Sequence, residues 1–245
     1  MGKAFETTAG FQSWRGKRLP KQGFIKHAFF FDDLSGDFVD AISRKDLTPV
    51  GSPSYADVDA VENTSIDFPT TSDYAERTDG EISWAQGNSF GASIWFKTTY
   101  ALTNEPPLIV WDIDANNYIA AWLDSSGQAR YAEVQGGSIR AAFQGGPTPN
   151  DGNWHNVVIT YNGNDGFYGL FFDGDQVGSS SALTTPSQHI DTSLADFRVG
   201  QWSSYGFGNQ AKFDELYIWT NISLNENDAA KIYANGIGTF LPRGI

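Results

Sequence analysis

From Ala28 onward, short runs of large apolar residues alternate with small or polar ones, each run bounded by Gly, Asn, Asp or Ser. A period of two marks strands with one buried face. Phe90-Gly91-Ala92-Ser93-Ile94-Trp95-Phe96-Lys97 is the clearest case. The same pattern predicts strands at Ala28 to Phe31, Leu47 to Val50, Ser65 to Phe68, Pro107 to Ile113, Tyr118 to Leu123, Gln128 to Gln135 and Ile139 to Phe143. It continues through His155 to Tyr161, Tyr168 to Phe172, Gln176 to Ser179, Asp196 to Val199 and Phe213 to Trp219. Ala115-Asn116-Asn117, Ser125-Ser126-Gly127 and Gly136-Gly137-Ser138 supply turns. Only Asn225 to Ala234 shows helical spacing, with Leu224, Ala229, Ile232 and Tyr233 on one side. The expectation is an all-β, two-sheet antiparallel sandwich with one short C-terminal helix.

Residues 1 to 27 have neither period, and the sequence predicts an extended N-terminal arm ahead of one domain at 28 to 245. Charge divides at the same place. The chain carries a net charge of -13, yet the arm has six Lys or Arg against one Glu, so the remainder carries -18. An acidic body repels phosphate backbones, which argues against nucleic acid as a partner of the main domain. The arm is suited to an acidic protein surface or a polyanion, with Trp14 and Phe24 as apolar anchors and Arg15, Lys17, Arg18, Lys21 and Lys26 as charge contacts. The alternative is a solvated, mobile terminus.

With no cysteine, the chain has neither disulfides nor a thiolate metal site. Its first residues lack the apolar run of a secretory signal, and no stretch approaches the roughly 18 apolar residues of a membrane span.

Three segments occur in a fixed order: Asp151-Gly152-Asn153-Trp154-His155-Asn156-Val157 with Tyr161, then Phe171-Phe172-Asp173-Gly174, then Phe213-Asp214-Glu215-Leu216-Tyr217-Ile218-Trp219. Together with Phe31-Asp32-Asp33-Leu34-Ser35-Gly36 they resemble the laminin-G-like, pentraxin-like branch of the concanavalin A-like jelly rolls, over about residues 28 to 238. The resemblance implies a jelly-roll fold, with Asp-Gly pairs as tight turns and Trp154 and Val157 in the core. It also implies that His155 packs structurally and is not a catalytic base.

In the same superfamily, polysaccharide hydrolases set two acids on one strand as Glu-x-Asp-x-x-Glu. Glu81-Ile82-Ser83-Trp84-Ala85-Gln86 lacks the second and third acids, and Glu133 and Glu215 stand alone on their strands. No catalytic residue is therefore expected. Relatives often hold one structural Ca²⁺ between the first and last strands, and Asp32 and Asp214 are the matching pair here. The rival reading makes these aspartates turn residues only. Gln201 to Asn209 presents three rings among small residues, so Trp202, Tyr205, Phe207 and Asn209 are the candidate glycan-binding residues. Those rings would otherwise plug the end of the sandwich.

The combined expectation is a non-enzymatic interaction protein on a larger, oligomeric assembly. Capsid decoration or a tail-associated adhesin on a bacteriophage virion, made in the host cytoplasm, fits a fold of this kind without signal or cysteine. The arm would bind other virion proteins and the jelly roll a surface polysaccharide. The alternatives are a stand-alone or attached lectin, and a polysaccharide hydrolase or lyase.

Overall fold

The computed structural model describes residues 19–61, 63–100, 105–180 and 190–237. In chain order the early strands are β1 (Ile25–Phe29), β2 (Thr48–Val50), β3 (Ser54–Asp57), β4 (Ser65–Phe68), β5 (Tyr74–Arg77) and β6 (Phe90–Lys97). The middle of the chain forms β7 (Pro107–Asp114), β8 (Asn117–Leu123), β9 (Ala129–Gln135), β10 (Ser138–Gly145), β11 (Trp154–Asn162), β12 (Phe167–Phe172) and β13 (Asp175–Ser180). Then come β14 (Asp196–Val199), β15 (Gln201–Trp202), β16 (Phe207–Gly208), β17 (Ala211–Thr220) and the helix α1 (Glu226–Ile237).

Two antiparallel sheets face each other. The first runs β13-β12-β11-β6-β17-β4-β3, with β1 also on β17; the second runs β10-β9-β8-β7-β14-β5-β2. Their inner faces meet through residues at alternate positions, such as Phe90, Ala92, Ile94 and Phe96 of β6 against Ile109 and Trp111 of β7. The two-sheet sandwich expected from the period of two, and the jelly roll that the resemblance implied, are therefore present.

The second Asp-Gly pair forms a two-residue hairpin loop between Phe172 and Asp175. Asp173 has φ 50° and Gly174 φ 88°, the left-handed pair that matches the twist of the flanking strands. The helix begins on a reciprocal cap, in which Asp228 N donates to Asn225 Oδ1 and Asn225 N donates to Asp228 Oδ2. Its apolar side, Ala229 and Ile232, covers Val158, Phe171, Tyr217 and Trp219 on the outer face of the first sheet.

The entry of the chain differs from the sequence expectation. The first strand starts at Ile25, not Ala28, and pairs with Leu216 to Trp219. β17 is long enough to serve two partners on the edge away from β6, β4 along residues 211 to 213 and β1 along its second half. Glu215, with φ 49°, lies between the two stretches. Leu19 is buried in the helix-side cluster, Pro20 O accepts from Trp219 Nε1 at 3.1 Å, and Lys21 pairs with Asp228 at 2.7 Å. Lys21 is thus spent inside the domain, while Phe24 and Lys26 stay exposed. Trp14, Arg15, Lys17 and Arg18 lie outside the described residues.

Candidate ligand-binding face

The outer face of the second sheet collects its aromatic and charged residues by alternation. Tyr118, Ala120 and Trp122 of β8 point outward together, as do Ala132 and Val134 of β9 and Val110 of β7. Trp202, from the β15–β16 hairpin, packs into this group between Tyr118 (centroids 4.7 Å apart) and Trp122 (5.2 Å), both edge-on. The two alanines leave the room that the indole fills. Ser204 fastens the hairpin, donating from N and Oγ to the Asp112 carboxylate at 2.9 and 2.7 Å. Tyr205 stands edge-on to Trp202 and Tyr118, 43% exposed, with its hydroxyl donating to Ala115 O at 3.3 Å. Burial, and then the Tyr205 hydroxyl, push the Tyr118 phenol far above its ordinary pKa, so it stays a neutral donor.

A carboxylate cluster adjoins the rings. Arg198 of β14 sits among Glu76 (3.0 Å), Asp196 (2.8 Å) and, more loosely, Asp112 (3.9 Å). Asp112 and Asp196 are directly opposed across β7 and β14. One guanidinium thus partly neutralises three acids, and Asp112 also accepts the two Ser204 bonds. Four buried polar atoms without a partner among the described residues lie in or under the hairpin: Trp122 Nε1, Trp202 Nε1, Gln201 Oε1 and Asn209 Oδ1. Unmet hydrogen-bonding capacity of this kind is rare in native interiors.

Sequence-predicted residues are only partly where they were expected. Trp202 is 3% exposed and belongs to the face as a buried wedge, because Ala120 and Ala132 beneath it are too small to keep it out. Asn209 is fully buried, its amide donating to Pro107 O. Tyr205 is exposed on this face, and the backbone of Phe207 pairs with Trp202 in the hairpin. Trp154 is not a core residue: it faces outward and its indole donates to Asp59 at 3.1 Å, whereas Val157 is in the core. Glu76, Asp112, Asp196 and Arg198 were not foreseen as a group, since they come from three strands. The local signal was Asp196-Phe197-Arg198-Val199, whose alternation puts acid and base on one face.

His155 bridges two carboxylates, Asp173 at 2.8 Å through Nδ1 and Asp151 at 3.1 Å through Nε2. Burial pulls its pKa down, but Asp173 and then Asp151 outweigh this and leave it raised. With both nitrogens facing acceptors, the ring is held as an imidazolium that ties the two Asp-Gly turns together.

Asp32 and Asp214 each accept hydrogen bonds from within the protein. Asp214 is fully buried and accepts from Val61 N and Glu215 N, and Asp32 accepts from Thr64 N and Oγ1 and from Asn63 Nδ2. Among the described residues no group of three or more His, Cys, Asp or Glu is placed to hold a metal. Asp214 lies within β17 and not in a turn.

On the opposite side of the sandwich lies a shallow 380 Å³ pocket lined by Asp59, Asp67, Lys97, Thr98 and Lys212. Asp59 links Lys97 (2.9 Å) and Lys212 (3.0 Å). Burial opposes its charge, yet hydrogen bonds from Lys97, Lys212 and Trp154 bring its pKa down to about 2.

Residues 69–236 match the family model described as the concanavalin A-like lectin/glucanases superfamily. The chain belongs to that superfamily. Among solved structures, this superfamily member is similar to domain 4 of an extracellular arabinanase from Geobacillus stearothermophilus, in complex with arabinotriose, with TM-score 0.64 and 18% identity over 85% of this chain and 98% of that one. It is also similar to Trypanosoma rangeli sialidase (TM-score 0.64, 12% identity, 88% of this chain, 33% of that one). A third is the binding domain of botulinum neurotoxin serotype D/C (TM-score 0.65, 12% identity, 87% of this chain, 52% of that one). The chain spans about a third of the sialidase and half of the toxin domain. Such identities show the fold alone. No curated protein sequence matches the chain.

Proposed function

We propose that this superfamily member is a non-enzymatic, polysaccharide-binding module that uses the outer face of the seven-stranded sheet. One observation carries the reading: a half-exposed Tyr205 ring stands edge-on to Tyr118 and Trp202 on this face, while the nearby acids are tied to Arg198. An exposed ring suits the apolar face of a sugar. Glycosidic cleavage instead needs one carboxyl kept as an acid and another free to attack or to activate water. Acids that share a guanidinium are poorly suited to either role. The arabinotriose bound to the arabinanase domain makes arabino-oligosaccharides a sensible first probe.

The test is affinity electrophoresis against a polysaccharide panel, with a reducing-sugar assay alongside. Retardation by at least one polysaccharide, abolished by Tyr205→Ala and without sugar release, is the expected result. No retardation by any polysaccharide, or release of reducing sugar, overturns it.

Display on a larger assembly such as a virion, through the leading segment, is part of the same proposal and draws on the charge division between residues 1 to 27 and the body. Because residues 19 to 27 are built into the domain, the appropriate truncation begins at Leu19. The shortened chain should fold and bind sugar as before but no longer join its particle. Unchanged co-purification would refute the tether.

A further inference from the structure

The hairpin covers only part of the aromatic face. Toward the β10 edge the outward positions line up in rows across the strands: Ala120, Ala132 and Ala142 are direct register partners, and beside them so are Trp122, Arg130 and Gln144. Tyr118 and Val134 pair on the other flank. Trp202 covers Ala120 and Ala132, which are 0% and 4% exposed, and leaves Ala142 of β10 as the open floor of a short trough at the sheet edge.

Arg130 bounds this trough, its guanidinium carbon 5.2 Å from the centroid of the Trp122 ring. Among the described residues no carboxylate pairs with it, whereas Arg77 pairs with Asp79, and Arg198 with Glu76 and Asp196. Trp122 holds the fork in place and leaves its donors for something outside the protein. A guanidinium presents paired N–H groups that match a planar carboxylate in bidentate fashion, which an amine or a hydroxyl does not. The acidic body opposes a polyanion at long range, so any preference for negative charge has to come from contact at this one residue.

We propose, resting on the polysaccharide-binding reading above, that the ligand is a linear chain containing uronic acids, with one carboxylate gripped by Arg130 and the sugar's apolar side against Ala142. A hydrogen-bonded pair with a charged group is worth about 1.5–3 kcal/mol, and about 1.4 kcal/mol is tenfold in affinity.

The experiment is calorimetric titration of the full chain with trigalacturonate and with the same trimer after its carboxyls are reduced to alcohols. Wild type should bind the acidic trimer about tenfold or more tightly. Arg130→Gln should remove that preference, with Arg130→Lys in between. Melting temperatures of the variants verify folding. Equal binding of both trimers by wild type overturns the inference while leaving the polysaccharide reading intact. A preference that survives Arg130→Gln overturns the role of Arg130. Binding of neither trimer overturns the uronic-acid assignment, and the panel above then decides whether the broader reading falls with it.

Discussion

Replacing Asp173 separates a structural His155 from a catalytic one. Its carboxylate accepts from Asn156 N at 2.8 Å and from the His155 ring at 2.8 Å, and its backbone holds φ 50°. Asp173→Ala removes two charge-assisted hydrogen bonds, about 2 kcal/mol each, and puts alanine in a left-handed conformation for about 1 kcal/mol more. The total is about 5 kcal/mol. For a domain of this size a kilocalorie shifts the melting temperature by about 2–4 °C, so the variant should melt about 10–20 °C lower. Asp173→Asn keeps an acceptor and tolerates the turn, losing mainly the charge opposite the imidazolium, about 1–2 kcal/mol or about 2–8 °C. The pH dependence follows from the raised pKa of His155. Its stabilisation is full below the unfolded value of about 6.5 and fades as pH rises through the folded value. Melting curves from pH 6 to 9 should therefore fall more steeply for wild type than for Asp173→Asn. An Asp173→Ala protein melting within about 2 °C of wild type, or an unchanged pH slope in Asp173→Asn, would refute the account.

Two further outcomes are expected. Asp40 is fully buried, accepts from Ala28 N, Ile42 N and Ser43 N, and pairs with His27 at 2.8 Å, so Asp40→Ala should lose about 3–5 kcal/mol in urea denaturation. A loss under about 1 kcal/mol would mean the network is dispensable. Asp59 has a side chain more than a third exposed, and Asp59→Asn should cost less than about 1 kcal/mol at neutral pH. Because the Asp59 pKa is depressed to about 2, its contribution is present above about 4 and lost as pH falls through 2, where variant and wild type should melt together.

Much of the architecture could be read from the chain because a period of two and the Asp-Gly turns are local signals. The hairpin at Asp173-Gly174 and the helix after Leu224 fall where the pattern puts them, the helix running on to Ile237. What escaped depended on partners far away in sequence. Ile25 joins a strand because Trp219 lies beside it, and nothing near Ile25 announces that. Trp154 sits one step out of phase with Val157 and so turns toward Asp59, which only the strand register decides. Trp202 looks like a loop aromatic, but it is buried because β8 and β9 place alanines beneath it. The cluster around Arg198 required knowing that β14 lies between β7 and β5.

The seam formed by Leu19, Pro20 and Lys21 sets an orientation. It lies on the helix-covered back of the molecule, against Trp219 and Asp228, while the indoles and Arg130 occupy the front. A body held by whatever precedes Leu19 would be gripped from behind, leaving its rings turned toward the surroundings like the palm of an outstretched hand.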